Sequence, residues 1–262
     1  MISSRQHPIV RSFRELARTS DPTGTRVLLD GAHVVRDAAA AGLELEAVAI
    51  AASRSSSTEE ALLARTLHAR GARVLTVNDQ TFAAMSPVRT PSGVIAIGRR
   101  RPVEADEICR GRGQLVLVAV DVQDPGNLGA LVRAAEAGGV SGVIACGESA
   151  NPFSWKAIRG SMSSVLRVPV AAGLTADDAL RLARQHERRI VAAVPREGAD
   201  PDAVNWRGRV ALVLGGEGAG LSAQVLAQAD QLVTIPMDPP VESLNLAVAG
   251  AILVYAARRQ RA

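Results

Sequence analysis

QLVLVAVDVQDPGNLGALVRAAEAGGVSGVIACG, residues 114–147, reads as an unbroken apolar run, an acidic turn with Gly126 and Gly129 around Asn127, an Ala-rich helix over 127–138 that carries Arg133, and a second apolar run. Strands that are apolar throughout are buried on both faces, and a helix between two of them makes a parallel crossover. The alternation continues with a helix near 154–164, "LRVPV", a helix over 175–187, "RIVAAVP", "RVALVLGGE", a helix over 222–229, "QLVTIPM" and a last helix from about 243 to 260. Residues 114–262 are therefore expected to form an α/β domain, a parallel sheet with helices on both faces. Ligands of such sheets sit beyond the carboxyl ends of the strands. Three segments lie at such ends: the loop after Asp121, "GGEGAGLS" after Leu214 and "IPMDPPVESLN" after Thr234.

Upstream, residues 1–98 alternate helix-like and strand-like stretches and predict a smaller α/β domain of their own. A polar stretch, "VEADEICRGRG", follows three arginines and Pro102 and places a linker at 99–113, while "ASRSSSTEE" at 52–60 reads as an exposed loop. The chain has 262 residues and is 47% hydrophobic, enough for two ordinary cores. No apolar run approaches the roughly 18 to 20 residues of a membrane span, and "MISSRQHPIVRSFREL" lacks the apolar stretch of a signal peptide, so a cytoplasmic protein is expected. Cys109 and Cys146 lie far apart without metal-ligand spacing, which predicts reduced thiols and no metal site.

Of thirty basic residues only Lys156 is a lysine, and the isoelectric point is near 10.0. Arginine forks suit the phosphates of a nucleic acid, although an Ala- and Arg-rich chain equally reflects a compositional bias of the genome. With 2% aromatic residues there is no stacking platform for single-stranded bases, so any RNA recognition leans on phosphate, ribose and shape.

The glycines after Asp121 do not make a dinucleotide fingerprint. G-x-G-x-x-G is required and only G-x-x-G is present, with Glu148 arriving beyond a further glycine. A phosphate loop of the G-x-x-x-x-G-K-[ST] type is absent. Taken singly, Asn127 reads as a helix cap, Arg133 as a solvated charge, Glu217 as an exposed turn residue and Ser243 as a helix cap. Taken together, three strand-end segments with Asn127, Arg133, Glu217, Ser243 and Asn245 point to one site.

With these residues assembled, the chain resembles the SpoU (TrmH-like) branch of the SPOUT superfamily, S-adenosylmethionine-dependent RNA ribose 2′-O-methyltransferases. N-x-G-x-x-x-R is matched by Asn127, Gly129 and Arg133; a strand leading to a G-x-E turn by "LVLGGEGAGLS" with Glu217; and "IPM" is followed by "SLN" and an apolar helix. The likeness covers roughly 114–262, with a looser likeness of "RVLLDGAHVVRDA" and "TPSGVIAI" to the family's N-terminal RNA substrate-binding domain. One segment departs from it. Where the family reads like S-P-K-A-x-R-A-S-x-G, this chain has "SWKAIRGSMSS", with Trp155 in place of proline and Ser164 near an expected small residue.

The resemblance implies a deep trefoil knot, an exception to the rule that chains do not thread loops. "VLGGEGAG", "TIPMDPP" and the helix from Ser243 would build it, with glycines at 215, 216, 218 and 220 permitting close backbone passage. It further implies S-adenosylmethionine held by Gly215, Gly216, Ile235, Met237 and Leu244, a homodimer, and an RNA substrate, with ribosomal RNA preferred to transfer RNA. Arg133 is the implied central catalytic residue. A guanidinium with a pKa above ~12 does not readily act as a base, so its expected part is to clamp the substrate phosphate, and the base stays open. Asn127 and Asn245 are expected to orient the ribose or Arg133, Glu217 to hold a guanidinium, and Ser243 to accept or relay a hydrogen bond. Lys156 and Arg159 read either as RNA phosphate contacts or as a solvated helix face. A chain of the same fold that binds RNA without catalysis is the alternative, disfavoured by the full residue set.

Overall fold

A computed structural model describes residues 1–218 and 220–261. The chain divides into two units, Met1–Pro102 with Phe153–Leu166, and Val103–Pro152 with the chain from Arg167 onward.

The first unit runs α1 (Pro8–Arg18), β1 (Arg26–Asp30), α2 (Ala32–Ala40), β2 (Glu44–Ala51), α3 (Thr58–Ala69), β3 (Arg73–Val77), α4 (Asp79–Met85) and β4 (Val94–Arg99). Its sheet has the order β1-β4-β2-β3, with β2 and β3 parallel and the other pairs antiparallel. Val10, Phe13 and Leu16 recur at helical spacing on α1 and pack with Leu28, Ala47, Ile95 and Ile97 into one core. The stretch 52–60, expected as a loop, instead holds a 3-10 turn at Ala52–Arg54 and the start of α3, where Glu60 is buried against Ser57 and Arg54.

The second unit runs α5 (Ala105–Arg110), β5 (Leu115–Val120), α6 (Pro125–Ala137) and β6 (Val143–Cys146). After α7 (Trp155–Gly160), which belongs to the first unit, it continues with β7 (Val170–Leu174), α8 (Ala176–Gln185), β8 (Arg189–Ala193), β9 (Val210–Gly215), α9 (Ala223–Leu226), β10 (Gln231–Val233) and α10 (Leu246–Arg259). The sheet order is β10-β8-β9-β5-β6-β7, and every pair is parallel. All six residues of β5 are buried, as an unbroken apolar strand requires when both faces are covered. Helix α6 packs along α10 at close range. A Cβ on Gly138 would fall 2.0 Å from Val254, and one on Gly250 2.3 Å from Leu131, so both glycines are set by helix contact.

The segment expected as a linker, 99–113, contains α5. Ala105, Ile108 and Cys109 are buried within an otherwise polar stretch, an apolar stripe too short to stand out in the sequence. Two arginines fasten it. Arg188, 2% exposed, donates from Nε to the Cys109 carbonyl at 2.8 Å, from Nη1 to Gly113 at 3.0 Å and from Nη2 to Gly111 at 3.0 Å and Ile108 at 3.3 Å. Arg209 donates to His186 at 2.9 Å and again to Cys109 at 2.7 Å. A buried guanidinium is tolerated here because carbonyl oxygens at the end of α5 surround it.

The segment 153–166, expected within the catalytic domain, clusters with the first unit. Phe153 lies against Gly24 and beneath the Arg100 guanidinium, 3.6 Å from the ring centroid, and burial pulls Arg100 down to about 10. Trp155 packs on the first unit's core. Lys156 stands over the Trp155 ring at 5.7 Å, and Arg159 acts on Asp30, whose carboxyl is raised first by burial and partly lowered by that cation. Counted from Ser154, the family segment's final glycine falls on Ser163 rather than Ser164. Ser163 has φ 68°, a conformation suited to glycine, and its buried Oγ has no hydrogen-bond partner among the described residues.

No described helix is long and apolar enough to cross a membrane.

Candidate active site

The opening loop is positioned by its own turn chemistry. Asp124, not Asn127, caps α6: its Oδ1 accepts from the Asn127 backbone N–H at 2.7 Å, with Pro125 at the first helical position. The Asn127 side chain is thereby released from capping. Likewise α10 begins at Leu246 and is capped by Asn245, whose Oδ1 accepts from Ala247 at 3.0 Å and Val248 at 3.3 Å, so Ser243 is not the cap.

These two asparagines meet. The Asn245 amide nitrogen donates to Asn127 Oδ1 at 3.0 Å, and the Asn127 amide nitrogen donates to Glu217 Oε1. The direction of the chain follows from the helix. Because Asn245 Oδ1 must accept from backbone N–H groups, its NH₂ faces Asn127; Asn127 must then present oxygen to Asn245 and its own NH₂ to the carboxylate. Three residues from three separate strand-end segments are thus oriented in series by one helix terminus.

The turns that bring them together need glycine. A Cβ on Gly216 would lie 2.0 Å from the Asp121 carbonyl oxygen, and one on Gly215 2.6 Å from the Gly220 carbonyl carbon. Asp121 itself sits at φ 56°, where its Oδ1 accepts from the Glu148 N–H at 2.8 Å.

Beside this chain lies a cavity of ≈ 530 Å³ at the carboxyl ends of β8, β9 and β10, roofed by the start of α10. Gly215, Gly216, Glu217, Ile235, Met237, Ser243, Leu244 and Asn245, all expected site residues, line it. Glu217 is the one charged residue in that lining among the described residues. The sequence reading missed Val194 and Pro195, which follow β8 and also line the cavity. Their signal was the apolar strand "RIVAAVP", and it becomes a site signal only once β8 is known to lie between β9 and β10.

Asn127 touches the cavity residues Glu217 and Asn245 without itself lining the cavity, and Arg133 is not brought to it. Arg133 is six residues farther along α6, exposed, with no side-chain partner among the described residues. Cys146 is buried and pushed up to about 12 by burial, which leaves it a neutral thiol. Among the described residues no group of three or more His, Cys, Asp or Glu side chains could hold a metal ion.

Two family models match the chain: the SpoU rRNA Methylase family over residues 114–255 and the MRM3-like substrate binding domain over residues 8–96. An uncharacterized tRNA/rRNA methyltransferase of Synechocystis is 31% identical over 99% of this chain and 94% of its own length. The 23S rRNA (guanosine(2553)-2′-O)-methyltransferase RlmP of Bacillus subtilis is 28% identical over 97% of each. Among solved structures, an AdoMet-bound rRNA methyltransferase from Sinorhizobium meliloti superposes with a TM-score of 0.86 at 30% identity, covering 98% of this chain and 97% of that one.

Proposed function

The chain belongs to the SpoU rRNA methylase family, and from that premise we propose that it methylates a ribose 2′-hydroxyl of ribosomal RNA. It is an S-adenosylmethionine-dependent RNA 2′-O-methyltransferase. The observation that carries the site assignment is the hydrogen-bonded series Asn245, Asn127, Glu217 at the edge of an apolar cavity on the carboxyl side of the sheet.

The cavity suits the methyl donor. Its volume is that of a small-molecule site, Leu221, Ile235, Leu244 and Leu253 give apolar walls for an adenosine, and the one charged lining residue among the described residues is an acid, matching a cationic ligand. Main-chain groups of Gly216, Ile235 and Leu244 would hold the adenine, with Gly215 and Met237 completing the wall. When bound, S-adenosylmethionine supplies a methyl group on a positively charged sulfur. The closely packed glycine turns fit the family's trefoil knot, threaded through the loops after β9 and β10.

The remaining work falls on the acceptor, an alcohol barely ionised at neutral pH that must be positioned and polarised. Asn127 and Asn245, held in one amide orientation, fix the ribose side of the site, and Ser243 offers a hydroxyl at its rim. Glu217 holds the end of the series and sets a negative charge beside the cavity. Arg133, exposed outside the cavity and without a side-chain partner among the described residues, clamps the substrate phosphate.

Ribosomal RNA is favoured over transfer RNA by the substrate-binding domain match over residues 8–96 and by the 23S rRNA substrate named for the Bacillus subtilis relative. The chain acts as a homodimer: Val248, Ile252 and Tyr255 leave an apolar stripe at helical spacing on α10, 49, 40 and 46% exposed.

Incubating the protein with methyl-labelled S-adenosylmethionine and purified ribosomal or transfer RNA tests the reading. Label is expected in ribosomal RNA; label in transfer RNA alone overturns the substrate, and label in neither overturns the activity.

A further inference from the structure

The positive charge of this chain is not shared between its units. The first unit holds sixteen basic and nine acidic residues, the second fourteen and seventeen, so the formal charges are +7 and −3 and the whole excess of +4 comes from the first. Beyond the phosphate that Arg133 clamps, a unit of net negative charge contributes little general attraction to a polyanion. The larger electrostatic share of RNA affinity then falls to arginines of the first unit that are free to meet it.

Six of that unit's fifteen arginines are already engaged. Arg26 and Arg99 share Glu46, Arg36 pairs with Glu59, Arg54 with Glu60, Arg70 donates to the Ala39 carbonyl, and Arg100 lies over Phe153. Helix α1 differs. Arg11, Arg14 and Arg18 are exposed, and so is Arg5 just before the helix; none of the four has a side-chain hydrogen bond or ion pair among the described residues. At 100° per residue the three helical arginines fall within about 60° of arc, centred about 130° from the buried Val10, Phe13 and Leu16, over a length of about 10 Å. Glu15 is the single acid on the helix, and it pairs with none of them.

We infer that Arg11, Arg14 and Arg18, with Arg5 at their head, form a ridge that docks the sugar-phosphate backbone of the RNA substrate. A row of about 10 Å matches about three successive phosphates of one strand. Guanidinium forks on a rigid helix, with no aromatic side chain on the exposed face, recognise backbone rather than base sequence. This ridge supplies affinity, and the second unit supplies chemistry. The inference rests on the RNA-methyltransferase reading above and names the surface that reading leaves open.

The test compares the full chain with an Arg11→Gln/Arg14→Gln/Arg18→Gln variant and a triple Arg→Lys variant. Ribosomal RNA binding is measured across salt concentrations, together with KM, kcat and the thermal shift given by S-adenosylmethionine. With each lost phosphate contact worth about 0.7 to 0.9 of slope, the Gln variant should lose about 2 to 3 from the slope of log Kobs against log salt. Its KM for RNA should rise by about tenfold or more at ~0.15 M salt, while kcat and the thermal shift stay at wild-type values. The Lys variant should keep most of the slope. An unchanged slope and KM in the Gln variant overturns the ridge. If that variant fails to fold, Arg14→Gln alone should lose a little under 1 from the slope, and no change there overturns it equally. Binding is read without turnover, so a wild type that transfers no methyl overturns the proposed function and leaves the slope comparison to decide the ridge.

Discussion

The side-chain nitrogen of Asn245 lies 3.0 Å from the side-chain oxygen of Asn127, a contact that joins residues 118 positions apart. Because Asn245 is also the cap of α10, the same side chain that starts the last helix sets the amide orientation of the first motif.

Asn245→Asp separates the two roles. Aspartate caps a helix as well as asparagine does, so stability should stay within about 0.5 kcal/mol of wild type, while the donor facing Asn127 is lost. Methyl transfer should fall on the order of 10²-fold, as for other preorganised hydrogen-bond donors, at an unchanged melting temperature. Asn245→Ala should in addition lose about 1 kcal/mol of stability.

Arg188→Met should destabilise the second unit by about 3 kcal/mol or more, since it strands several buried carbonyls at the end of α5 at about 1 to 3 kcal/mol each. Denaturant unfolding measures this. A loss under about 1 kcal/mol would mean that those carbonyls find other partners.

Ser163→Gly should stabilise the protein by about 1 kcal/mol, because it removes both a left-handed conformation costly to serine and an unpaired buried hydroxyl. For a unit of this size a rise of about 3 to 6 °C in Tm is expected.

Asp30 gives a pH dependence with a definite sign. Its carboxyl is raised above 3.8, first by burial, with Arg159 and the Ser86 hydroxyl opposing. A carboxyl whose folded pKa exceeds its unfolded value favours the folded state most when protonated, below the unfolded pKa; that contribution is lost as pH rises through the folded pKa. Asp30→Asn should therefore melt higher than wild type at neutral pH, and the difference should close on acidification below pH 4. A difference that widens towards acid pH would reverse the assignment.

The parallel sheet was legible because its strands are apolar without alternation, and the site because its residues follow three of those strands. What stayed hidden had short-range or long-range causes. Asp124 and Asn245 took the caps from Asn127 and Ser243 through local turn geometry, in which several polar residues within a few positions compete for the same N–H groups. The stripe Ala105, Ile108 and Cys109 is too brief to read as a helix, and what anchors it comes from Arg188 and Arg209, more than seventy residues away. Val194 and Pro195 became site residues only through the strand order, which no local pattern encodes. Nothing in "NPFSWKAIRG" signals that its Phe153 packs beneath Arg100, in the first unit.

The most direct test of the central claim is the chemical position of the transferred methyl group. A ribose 2′-O-methyl blocks attack of that oxygen on the neighbouring phosphate, so alkaline hydrolysis of ribosomal RNA labelled by the wild-type protein should leave the label in an uncleaved dinucleotide. Arg133→Ala should give no such dinucleotide while still being stabilised against heat by S-adenosylmethionine. Label released in a mononucleotide, as a methylated base would be, contradicts the account.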